Sequence, residues 1–195
     1  MIDLTNARVL RTSQNHNIFD HPEDERALLK VRCESAKNGT RFLRRYSEWR
    51  YGNLRQWNRE ANEYLAALHR GVPELARLAR FMGYAQTSVG PALVVEKMTN
   101  SLGELAPTVR QELRSFPTGD PRRQAILTEL NELLDDLERG GIVVGDFTLD
   151  NVVRASERGG RLVVIDGLGE RSLVPLTIIS NIAFRASIRK RRNRL

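Results

Sequence analysis

One cysteine, Cys33, is all the chain contains. That excludes a disulfide framework and a multi-cysteine zinc site. Long apolar runs are missing too, since no stretch approaches the ~18 apolar residues that a membrane span needs. The opening MIDLTNARVL has no basic region leading into an apolar one. No secretory signal peptide is expected, and a cytoplasmic location follows as the default. Aromatic residues make up only 6%, and Trp49 and Trp57 read as packing residues, not as a base-stacking platform. His16, His21 and His69 are scattered, without the spacing of zinc ligands. Acidic residues stop at Glu170.

That last absence reshapes the charge. The formal net charge is +7, which by itself invites a nucleic-acid reading. After Glu170 come Arg171, Arg185, Arg189, Lys190, Arg191, Arg192 and Arg194. Residues 1–170 therefore carry 24 basic and 24 acidic side chains. The pattern is a neutral domain with a basic tail. An anionic membrane surface is a possible partner for that tail, and nucleic acid is disfavoured.

With 41% apolar and 28% charged residues, the chain has the composition of a globular domain able to bury a core. HPED at 21–24 reads as a turn. Ala27-Leu28-Leu29-Lys30-Val31 reads as a strand carrying one lysine. Residues 32–50 are irregular and basic. Leu54, Trp57, Ala61, Tyr64, Leu65 and Leu68 recur at helical spacing, predicting a helix over 53–69. Two strands are expected at 78–84 and 93–98 around a turn at 87–91. A second helix is expected over 121–138, with Pro121 in its first turn. Short strands are expected at 142–144, 152–153 and 162–165, and a tail helix over 173–188. Strands and helices do not alternate, so the class is α+β.

Chemistry concentrates in GGIVVGDFTLDNVV and RLVVIDGLGE. Asp146 and Asn151 flank a short loop, and a hairpin over 152–165 would fold Asp166 back beside Asn151. Two carboxylates and an amide oxygen are hard ligands that suit magnesium together with substrate phosphates. Asn151 and Asp166 fit the metal role. Asp146 is placed to orient a hydroxyl nucleophile or take its proton. Asp150 is an equally good oxygen ligand by chemistry.

D-x-x-x-x-N followed by a hairpin and D-G resembles the catalytic and metal loops of the protein kinase fold. ALLKV resembles its lysine strand, which would make Lys30 the phosphate-contacting lysine. Arg59-Glu60-Ala61 resembles the helix that carries the partner glutamate. Glu60 takes that role, with Glu63 on the same helix as its competitor. The run from Leu93 to Met98 resembles the strand entering the nucleotide hinge and places Glu96 and Met98 near the cofactor. HPED, the Arg-Glu helix and GERSLVPL after Asp166 are together similar to the YrbL family, small bacterial proteins named in connection with the PhoP regulatory network.

The resemblance implies a reduced two-lobe kinase-like fold, with an N-lobe at 1–98 and a shortened C-lobe at 99–195. It implies ATP and Mg²⁺ as cofactors and transfer of phosphate to an unidentified acceptor. The sequence departs from the kinase pattern, and its missing glycines and missing histidine favour the alternative, a non-catalytic pseudokinase-like regulator. Residues 11–19 hold no glycine, although a phosphate-covering loop needs close backbone approach. Val144 stands where the pattern has its bracing histidine. The metal motif is Asp-Gly-Leu, and no activation segment follows it.

Overall fold

The computed structural model describes residues 1–13, 16–33, 54–170 and Arg189. The expected tail helix and the irregular basic stretch lie outside the described residues, apart from Arg32, Cys33 and Arg189. The chain divides into two compact units, each assembled from separated segments: Met1–Asn58 with Arg80–Lys97, and Arg59–Ala79 with Met98–Leu195.

The first unit is built on a five-stranded antiparallel sheet. Its strands are β1 (Arg11–Thr12), β2 (His16–Asp20), β3 (Ala27–Arg32), β4 (Phe81–Thr87) and β5 (Gly90–Glu96), in the order β1-β2-β3-β5-β4. β3 is central and buried from Ala27 through Val31, which explains why its run is apolar on both faces except at Lys30. Leu29 and Val31 point with Leu4, Phe19 and Ala92 into one core. Alternation puts Lys30 on the other face, with Leu28 and, across the ladder, Leu93. The N-terminus runs beside β4, where the Ile2 amide donates to the Gln86 carbonyl (2.9 Å) and Ser88 N–H to Ile2 (2.8 Å). Those bonds cover an otherwise open strand edge.

The helix α1 (Arg55–Arg70) begins in this unit. Trp57, fully buried, donates its indole N–H to His16 Nε2 at 3.0 Å and stacks on that ring. Tyr84 Oη donates to Asn58 Oδ1 at 3.2 Å. These contacts fix the helix start to the sheet.

The second unit holds the remainder of α1, a 3-10 turn (Pro73–Arg77), α2 (Val109–Arg114), α3 (Pro121–Arg139) and the hairpin β6 (Val152–Ala155) with β7 (Arg161–Val164). α3 starts on Asp120, whose carboxylate accepts the Arg122 amide, and Pro121 follows at the first helical position. Ile126, Leu130, Leu133, Leu134 and Leu137 are its buried stripe. Each such side chain contributes about 2 kcal/mol on burial. α2 is opened by a capping box between Thr108 and Gln111. A second cluster joins Ala79, Met98, Ala106, Val153, Ala155 and Val163.

The class is mixed α and β with an antiparallel sheet and few helices. Several boundaries differ from the sequence expectation. Residues 142–144 form no strand; Val144 alone makes bridges, to Leu168 and Gly169. The turn between β4 and β5 tightens onto Ser88 and Val89, with Thr87 paired to Gly90. Pro91 is tolerated inside β5 because the ladder to β3 ends one residue later, at Ala92. β1, β2 and α2 were not anticipated.

Candidate functional site

The loop from Gly145 to Asn151 is held from both sides. Its first anchor is the Asp146 amide, which donates to the Gly167 carbonyl at 3.1 Å. Its last is Asn151, whose carbonyl accepts the Ile165 amide at 2.9 Å and whose amide donates to Thr148 at 2.9 Å. The side chain of Asn151 closes the loop on itself, with Nδ2 donating to the Asp146 carbonyl at 2.8 Å. Asp166 Oδ1 accepts the Gly167 amide at 2.6 Å. Asp146, Asn151 and Asp166 are thus brought together at the base of the β6–β7 hairpin.

Gly167 is the pivot. Its φ is +83°, and a Cβ there would meet the Asp146 carbonyl oxygen at 2.7 Å, Asp146 Cβ at 2.9 Å and Asn151 Nδ2 at 3.1 Å. Only glycine permits both the conformation and the approach.

The competing Asp150 is committed elsewhere. Its Oδ2 accepts Arg110 Nε at 2.6 Å, and the Arg110 amide donates to the neighbouring Leu149 carbonyl at 3.1 Å. α2 thereby contacts the loop through Leu149 and Asp150.

Glu63 is likewise assigned. It is buried, accepts the Val143 amide on Oε1 at 2.9 Å, and lies 3.9 Å from Arg70 Nη2. Burial pushes its carboxyl above the ordinary range, against the Val143 bond and the Arg70 charge. Glu60, three residues earlier, is also buried. Lys30, buried on β3 of the first unit, and Glu60 in the second belong to different units. Glu96 accepts the Arg80 amide on Oε2 at 3.0 Å, and its own amide donates to the Arg80 carbonyl. Met98 is buried in the second unit's core, and its carbonyl accepts the Ala106 amide at 2.9 Å.

Among the described residues no group of three or more His, Cys, Asp or Glu side chains is placed to hold a metal ion. Magnesium asks for less, because one or two carboxylates suffice when phosphate oxygens complete the shell. Asp166, Asn151 and Asp146 supply hard oxygen donors only, which fits that ion. Sequence reasoning missed Arg110, Arg70 and Val143. Arg110 and Val143 bond partners 40 and 80 residues away, and Arg70, seven residues from Glu63, also reaches the Gly141 carbonyl 71 residues on; no local pattern marks them.

The fold recurs in solved structures, with 217 matching chains, so it does not specify one activity. One is the crystal structure of WbdD, matched over 94% of this chain and 37% of that one, at 15% identity and a TM-score of 0.51. The chain therefore spans little more than a third of WbdD's length, and the likeness is one of fold. The chain belongs to the family of the PhoP regulatory network protein YrbL, whose family model matches residues 2–195. A search of the curated proteins finds no match. Among the described residues no helix is long and apolar enough to cross a membrane.

Proposed function

We propose that this protein is an ATP- and magnesium-dependent phosphotransferase of reduced kinase-like fold, acting on a hydroxyl acceptor. The observation that carries the reading is the convergence of Asp146, Asn151 and Asp166 around Gly167. Asp166 and Asn151 would hold the metal. Bound Mg²⁺ would neutralise charge on the nucleotide phosphates. Asn151 suits the role because its Nδ2 is tied to the Asp146 carbonyl, which leaves Oδ1 as the side-chain atom to serve as a hard ligand. Asp146 orients the acceptor hydroxyl, its backbone locked by Gly167 and Asn151. By resemblance, Lys30 is assigned to the nucleotide phosphates.

A second reading, a non-catalytic regulator within the PhoP network, has its own support in the β1–β2 hairpin. The Ser13 amide donates to the His16 carbonyl at 2.8 Å, and the His16 amide to Ser13 Oγ at 3.1 Å. A phosphate cradle needs backbone N–H groups that are open to the ligand, and these two are closed.

Thermal unfolding with ATP and Mg²⁺ separates the readings. Ligand at 100 times its Kd adds about 2.7 kcal/mol of stability. Asp166→Ala should abolish the shift. Asp146→Ala should keep it and stop turnover. A well-folded protein with no shift would remove the phosphotransferase reading.

A further inference from the structure

The kinase pattern braces its catalytic loop with a histidine, and this chain has Val144 at that place. Valine has no side-chain donor or acceptor, so the loop must be fixed by something else. The peptide next to it is clamped on both sides. Val143 N–H donates to Glu63 Oε1 at 2.9 Å, and the Val143 carbonyl accepts the Gly169 amide at 2.8 Å. Val144 itself bridges Leu168 and Gly169. Two residues on, the Asp146 amide donates to Gly167. The strand-like pairing of 143–146 with 167–169 therefore ties the Asp146 loop to the Asp166 loop, and Glu63 holds its outer side.

Helix α1 supports both loops from one face. Arg59 and Glu63 are four residues apart, so they stand one turn above each other. Arg59 Nη1 donates to the Glu170 carbonyl at 3.1 Å, and Gly169 passes so close to Arg59 that a Cβ would lie 2.9 Å from the Arg59 carbonyl oxygen. Two turns beyond Glu63, Arg70 Nη2 donates to the Gly140 and Gly141 carbonyls at 3.3 and 3.2 Å. This secures the segment on its approach to Val143.

We propose that Glu63 is a positioning residue: its carboxylate on the Val143 amide sets the Asp146 loop against the Asp166 loop, in place of the absent histidine. A desolvated carboxylate at this point is a poor source of net stability, so its presence is accounted for by geometry. The inference deepens the phosphotransferase reading and rests on it for its catalytic meaning.

The test compares wild type, Glu63→Gln, Glu63→Asp and Glu63→Ala in the full chain, by amide hydrogen exchange. Gln keeps an acceptor for Val143. Asp keeps the charge but retracts it by one methylene, and gives a milder lesion should the Ala variant fail to fold. Exchange within 142–146 and 167–169 should accelerate at least about tenfold in the Asp and Ala variants. That corresponds to loss of one buried hydrogen bond of about 1.4 kcal/mol. It should stay at the wild-type rate in the Gln variant, and the β6–β7 ladder and α3 should be unaffected in all. Uniform acceleration across the second unit would overturn the proposal, as would unchanged local exchange in the Asp variant or a Gln variant that behaves like Ala. The ATP–Mg²⁺ thermal shift, measured in parallel, should shrink in the Asp and Ala variants and persist with Gln. If wild type gives no shift, the phosphotransferase reading falls while the exchange pattern still decides the brace.

Discussion

Gly167 shows how little room the site leaves. Its positive φ and its contact with the Asp146 carbonyl act against any side chain together. Gly167→Ala is expected to cost about 2 kcal/mol or more in urea unfolding and to remove the ATP–Mg²⁺ shift. Gly159, at φ +63° with open space around its Cβ position, is the control. Gly159→Ala should cost about 1 kcal/mol and leave the shift intact. A Gly167→Ala protein that binds nucleotide normally would argue against this loop as the metal site. The three oxygen-bearing residues were legible in the sequence because a short loop and a two-stranded hairpin bring them together locally. Glu63 was only half legible. Its acidity and helical position were visible, but Val143 lies 80 residues away, and nothing near either residue announces the pair.

At the scale of elements, α3 is tied down by ions as well as by its leucine stripe. Asp136 accepts Arg77 Nε at 2.6 Å and Arg139 Nη1 at 2.7 Å, while Arg139 also donates to the buried Glu74 at 3.2 Å. Arg77 continues to the Leu162 carbonyl at 3.3 Å, so helix, 3-10 turn and hairpin share one network. Burial alone would raise the Asp136 carboxyl, but the two guanidinium groups outweigh it and hold it below 3.8. A depressed folded value means the contribution is complete above 3.8 and is lost as pH falls through the folded value. Asp136→Asn should therefore cost about 1–3 kcal/mol at neutral pH, with the gap to wild type closing in acid. A gap that stays constant from pH 7 to pH 2 would show that the charge is not what matters.

Sequence periodicity revealed α3 because its five buried positions repeat over 19 residues. It did not reveal α2, whose six residues complete fewer than two turns. β1, with two residues, is too short for alternation to register. The buried run of β3 was plain, but the placement of Lys30 inside it reads equally as an edge lysine until the strand is seen at the centre of the sheet.

At the scale of the whole chain, charge is segregated along the sequence. Its excess of +7 belongs to residues 171–195. If that excess docks the protein on anionic lipid, each basic residue near the surface is worth about 1 kcal/mol. Replacing Arg189, Lys190, Arg191, Arg192 and Arg194 by Gln should then abolish binding to phosphatidylserine vesicles, and salt should weaken the wild type within the same assay. The melting temperature should not change. Vesicle binding that survives the replacement would detach the tail from that role.

The interleaving of the two units also sets a timetable for synthesis. Glu63, Glu74 and Arg77 are translated before the first unit's last strand, β5. Their partners Val143, Arg139 and Asp136 follow 59 to 80 residues later. At about 5–20 residues per second, the longest of those waits is roughly 4–16 s. The five-stranded sheet has its full sequence as soon as Glu96 emerges. Until Val143 is translated, α1 must carry Glu63 without its partner amide, so this part of the second unit can close only after residue 143 has been made.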